Sequence, residues 1–129
     1  MKQKLLFTIL LALTIMLTTS QSAKACEIEF EITKGKKESY KTGDTLVIKV
    51  LVKLTHRSCP VAMKKTKFKM NGLKVMKSTS WKETSTNEWE RKLLTVVTAK
   101  SKGKIILSAI RECEKDGGFG SLKLEASPQ

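Results

Sequence analysis

Residues 105–124, IILSAIRECEKDGGFGSLKL, decide how the chain folds. Two apolar runs flank Asp116-Gly117-Gly118. An Asp-Gly-Gly step in that setting marks a β-hairpin, because these residues tolerate the positive φ that a tight turn demands. The stretch therefore reads as two antiparallel strands, with Cys113 just before the turn.

Upstream, the same period of two recurs. Residues 44–55 carry the longest alternation, with Leu46, Ile48, Val50, Val52 and Leu54 on one face and Lys49, Lys53 and Thr55 on the other. Val47 and Leu51 interrupt the polar face, which is expected to be partly covered. From Cys26, Ile28, Phe30 and Ile32 share one face and Glu27, Glu29 and Glu31 the other, the pattern of a half-buried strand. Residues 88–99 are strongly β-prone, but the adjacent pairs Leu93-Leu94 and Val96-Val97 leave the facing open and suggest a bulge. Residues 67–70 and 73–81 read as shorter strands around an Asn71-Gly72 turn. The segments 35–43, 56–66 and 83–87 read as connections, the second broken by Pro60, and 127–129 as a frayed tail.

Seven short strands separated by turn signals, with no helical period, predict an all-β antiparallel sandwich. Over residues 26–129 this pattern resembles that of exported bacterial immunoglobulin-like domains. The antibody-type framework of a cysteine in the second strand, a tryptophan in the third and a cysteine in the sixth is absent: Cys59 follows the second strand, and the tryptophans are Trp81 and Trp89. These two and Phe68 read as core or inter-sheet residues, since burying such a ring contributes about 1.5–3 kcal/mol.

Residues 1–25 read as a signal peptide. Lys2 and Lys4 precede the apolar run 5–17, and Ala23-Lys24-Ala25 is a small-x-small boundary before Cys26. The run is short of the roughly 20 residues a membrane span needs. The expected product is a single domain, 26–129, exported to the periplasm or beyond, with no transmembrane segment; a lipid on Cys26 is the alternative to a soluble product. The leader carries three of the chain's 25 basic residues and none of its 12 acids, leaving 22 basic and 12 acidic residues, a formal charge of +10. That excess attracts anionic surfaces or acidic partners. With few aromatics for base stacking and lysines spread over every strand, no nucleic-acid site is apparent.

If successive strands alternate in direction, the first strand begins, and the second and sixth end, at one pole. Cys26, His56, Cys59 and Cys113 are then expected to converge, joined by Met63 and the glycine-rich loop 115–120, where Asp116, Gly117, Gly118 and Phe119 offer a contact surface. Three chemistries fit that pole. An oxidising compartment favours a disulfide, Cys59 with Cys113 first and Cys26 with Cys113 second. One imidazole and three thiolates from Cys26, His56, Cys59 and Cys113 would suit zinc or, with Met63, monovalent copper. Thiol exchange is the third, because Arg57, Lys64, Lys65 and Arg111 give the cysteines an electropositive setting. A lone histidine without an evident nucleophile points away from hydrolysis. The sequence thus reads as a non-catalytic binding or accessory module for another exported or envelope protein, with a metal-binding or thiol-redox accessory role as the alternative.

Overall fold

The computed structural model describes Gln3 and residues 26–55, 62–100, 103–112 and 117–127. Apart from one 3-10 turn, Met63–Lys65, its elements from Cys26 onward are strands: β1 Cys26–Lys34, β2 Thr45–Leu54, β3 Lys67–Asn71, β4 Leu73–Ser78, β5 Lys82–Ser85, β6 Glu88–Val97, β7 Gly103–Arg111 and β8 Gly118–Ala126. One antiparallel sheet runs β1-β2-β6-β4, with β5 also paired to β6, and the other runs β3-β7-β8. No helix of the described residues is long and apolar enough to cross a membrane.

Alternation builds the core. Leu46, Ile48, Val50 and Val52 of β2 are buried and pack with Leu93 and Val97 of β6 against Ile105, Leu107 and Ala109 of β7 in the other sheet. Each such valine, leucine or isoleucine side chain contributes about 1.5–3 kcal/mol when fully buried. The outer face of the same strands is charged, and the register sets Glu27 opposite Lys53 and Glu31 opposite Lys49. Ion pairs form between Glu31 and Lys49 and, at 3.9 Å, between Glu29 and Lys53.

Eight strands stand among the described residues where the sequence predicts seven. The segment 83–87, read as a polar loop, begins within β5, and the chain turns into β6 at Asn87, whose φ of 62° asparagine tolerates. β4 pairs with the second half of β6 (Leu73 with Val97, Ser78 with Leu93), and β5 pairs with its first half (Lys82 with Glu90, Ser85 with Glu88). The two are successive segments along one flank of β6, both antiparallel to it. Strand direction therefore alternates as in a seven-strand count. Residues 79–81 interrupt the flank: Lys92 N donates to Thr79 Oγ1, Arg91 reaches the Thr79 carbonyl, and the Trp81 ring stacks on Phe68 with centroids 6.4 Å apart.

The bulge expected in residues 88–99 is not in β6, whose register with β2 is continuous from Thr45–Val96 to Lys53–Glu88. The irregularities lie in the outer strands paired with it, between Val75 and Lys77 in β4 and between Glu83 and Ser85 in β5, because an outer strand loses a ladder bond more readily than a central strand bonded on both sides. Leu93, Thr95 and Val97 point inward, and Leu94 and Val96 are half-buried on the outer face. Buried Thr95 satisfies its hydroxyl by donating to the Leu46 carbonyl at 3.0 Å.

Two further differences concern the flank between β1 and β8. The connection 35–43 is more than a polar linker: Tyr40 is buried, its amide donates to the Glu125 carbonyl at 2.9 Å, and Ser127 N donates back to the Tyr40 carbonyl at 2.8 Å. Ser127 is thereby held in place. In addition, Gly118, Phe119 and Gly120 belong to β8 and not to a loop. A Cβ on Gly120 would fall 2.5 Å from the Ile28 carbonyl oxygen, so glycine lets β8 lie directly against β1.

Candidate functional site

The end of the fold where β1 begins gathers several chain segments. Cys26, the first residue of β1, pairs with Leu54, the last of β2, and Arg111, the last of β7, pairs with Gly118, the first of β8. The two pairs touch, since a Cβ on Gly118 would lie 2.6 Å from the Cys26 Cβ. Arg111 Nη1 donates to Thr66 Oγ1 at 2.8 Å and reaches the Ala62 carbonyl at 3.4 Å, which fixes the 3-10 turn carrying Met63 to the same end. Cys26 is 0% and Arg111 1% exposed. The pole is thus a buried junction with a guanidinium inside it, and such a cation needs the hydroxyl and carbonyl acceptors around it.

Of the expected site residues, Cys26 and Met63 are placed here, the latter half-buried against the core. His56, Cys59, Cys113 and Asp116 lie outside the described residues. The described residues flanking them, Thr55 and Ala62 on one segment and Glu112 and Gly117 on the other, continue from elements that end at this pole. Among the described residues no three His, Cys, Asp or Glu side chains cluster as metal ligands; three of the four ligands expected from the sequence fall outside that set. Gly117 is exposed, Gly118 is buried, and Phe119 points away from the pole junction on the outer face of β8.

The residue that sequence reasoning undervalued is Arg111. It follows Ile105, Leu107 and Ala109 in the inward phase of β7, so its burial was legible from the period of two; in the sequence reading it served only as a charge near Cys113. Its acceptor Thr66, also buried, carries no comparable signal.

Beside this junction an open groove of about 550 Å³ is lined by Lys64, Lys65, Thr66, Lys67, Ile110 and Glu112. Its lysines are exposed, so it is an electrostatic surface and not a desolvated reaction chamber. The charge distribution is uneven in a way the linear sequence conceals. The ion pairs among the described residues join Lys37 to Asp44, Lys49 to Glu31 and Lys53 to Glu29, and none involves β3, β7 or β8. Hydrogen bonding and charge from Lys49 hold the Glu31 carboxyl below its ordinary value, and Glu31 in turn raises Lys49. No family model matches the chain, and no curated protein or solved structure matches it significantly.

Proposed function

We propose that the chain is an exported, non-catalytic binding or accessory module of immunoglobulin-like fold, which engages a periplasmic or extracellular partner through the loops at the Cys26 pole. The strand order supports the fold reading. With β4 and β5 taken as one interrupted strand, the sheets are first-second-fifth-fourth and third-sixth-seventh, the arrangement of constant-type immunoglobulin domains. The observation that carries the functional reading is the tie between Cys26, Gly118, Arg111 and Thr66, which anchors the connections on either side of residues 56–61 and 113–116 to one rigid end. Loops held by a rigid scaffold are where binding residues concentrate. Burial of Cys26 supports a soluble product, because a thioether-linked lipid needs its sulfur at the surface.

Site-specific photocrosslinking in the exporting cell tests this reading. A crosslinker at exposed Thr55, on the pole, is expected to give a discrete adduct, and one at Thr33, at the far end of β1, none. Equal adducts from both positions, or none from Thr55, would overturn it.

A second reading, a zinc, copper or thiol-redox accessory protein using Cys26, His56, Cys59 and Cys113, is favoured by one observation. Cys26 lies at the junction where the described segments leading into residues 56–61 and 113–116 end, so one thiol of the proposed set is already placed there.

A further inference from the structure

Among the described residues, the outer face of β3-β7-β8 is strongly one-sided in charge. β3 presents Lys67 and Lys69, β7 presents Lys104 and β8 presents Lys123, all exposed; the groove at the pole end adds Lys64 and Lys65. Among the described residues the carboxylates on this side are Glu112 and Glu125, and neither forms an ion pair. The outer face of β1-β2-β6 answers its lysines with Glu27, Glu29, Glu31, Glu88 and Glu90. The positive excess among the described residues is therefore concentrated by the distribution of acids and not by that of lysines.

Two large apolar side chains stand in this basic field. Ile110 is 37% and Phe119 54% exposed. They are direct cross-strand partners, and Lys67 lies opposite Ile110 on its other side, so one row across the sheet reads Lys67, Ile110, Phe119. Exposed apolar groups flanked by flexible cations are what an anionic bilayer surface rewards, the apolar tips entering the interface while each nearby lysine adds attraction to the charged headgroups.

We propose that the outer face of β3-β7-β8 docks the domain on a membrane surface rich in anionic phospholipid, with Phe119 and Ile110 at the interface and headgroup phosphates held by Lys64, Lys65 and Lys67 along the groove. Charge complementarity selects the sign of the partner. The face is one continuous three-stranded sheet surface, and its lysines, which form no ion pair among the described residues, suit mobile headgroups better than carboxylates at fixed spacing. A single aromatic on the face offers a nucleic acid no succession of stacking platforms. The inference uses only this outer face and stands apart from the thiol chemistry of the pole.

Vesicle flotation of the mature domain tests it. Vesicles of phosphatidylcholine with about one-third phosphatidylglycerol are expected to bind the protein at low salt, binding is expected to fall at high salt, and pure phosphatidylcholine is expected to bind at least tenfold more weakly. Replacing Lys67 and Lys69 with Gln is expected to weaken binding about tenfold or more. The same change at Lys74 and Lys77, exposed on β4 of the other sheet, is expected to have little effect. Phe119→Ser, at an exposed position, is expected to weaken binding severalfold with an unchanged melting temperature. Equal loss from the β4 pair would show attraction by net charge alone and overturn the face assignment. Retention on poly-glutamate or DNA without flotation on anionic vesicles would overturn the lipid assignment.

Discussion

The Cβ position of Gly118 lies 2.6 Å from the Cys26 Cβ, so the start of β8 and the start of β1 share a space that admits one side chain and not two. The neighbouring atoms include the Cys26 carbonyl oxygen at 2.6 Å, and backbone cannot step aside as a flexible side chain could. Gly118→Ala is expected to destabilise the domain by about 1–3 kcal/mol, read by urea denaturation. Gly103→Ala, in open space and without a positive φ, controls for the loss of a strand glycine. A Gly118→Ala protein as stable as the parent would contradict the close packing of the two strands.

Arg111 is the second measure of the pole. Its guanidinium donates to Thr66 Oγ1 and the Ala62 carbonyl, so Arg111→Ala leaves a void and strips those acceptors of their donor. A cost on the order of 2–4 kcal/mol is expected in the same assay. Arg111→Met fills the space without a charge and is expected to recover more than half of it. Indifference to the Ala change would place Arg111 outside the structural junction.

Tyr40 closes the opposite end. Its hydroxyl accepts from Lys37 N at 2.9 Å, and its buried ring fixes the connection between β1 and β2 to the end of β8. Tyr40→Phe is expected to cost about 0.5–1.5 kcal/mol, the net worth of one hydrogen bond. Tyr40→Ala is expected to cost about 3–5 kcal/mol through the lost ring. Near-equal effects of the two would mean that the ring packs against little.

Asp44 gives the domain an acid-sensitive turn. The Lys41 amide, first, and the Lys37 ammonium hold its carboxyl below the ordinary value of 3.8. A depressed folded value means that the stabilisation is fully present above the unfolded value and is lost as pH falls through the folded one. Asp44→Asn is therefore expected to lower the melting temperature at pH 7, and the gap to the parent is expected to close below about pH 4. A gap that persists unchanged to pH 2 would remove the carboxylate from that role.

The frame was legible where burial and period coincide, as in β2, whose inward set Leu46, Ile48, Val50 and Val52 is buried as the alternation predicts. It was less legible where one residue type serves two purposes. Gly118 and Gly120 signal a turn and a close strand approach equally well, and the structure uses them for the second. β5, KETS, is wholly exposed and takes its strand conformation from pairing with β6, so no apolar pattern announces it. Tyr40 sits in a lysine-rich connection, and its burial depends on Glu125, Ala126 and Ser127 far along the chain. At the pole, the place of Cys26 followed from strand alternation, whereas Phe119, expected among the contact loops, lies on the outer face of β8 because it alternates with Gly118 and Gly120.

The convergence of cysteines at the Cys26 pole is tested most directly by counting thiols in the exported protein, denatured without reductant and alkylated. One labelled thiol per chain is expected, with a peptide map joining Cys59 to Cys113 or Cys26 to Cys113, and with no change in melting temperature on adding zinc or copper. Three labelled thiols, protected by one equivalent of either metal in the folded protein and exposed again by His56→Ala, would contradict the stapled module and establish a metal site in its place.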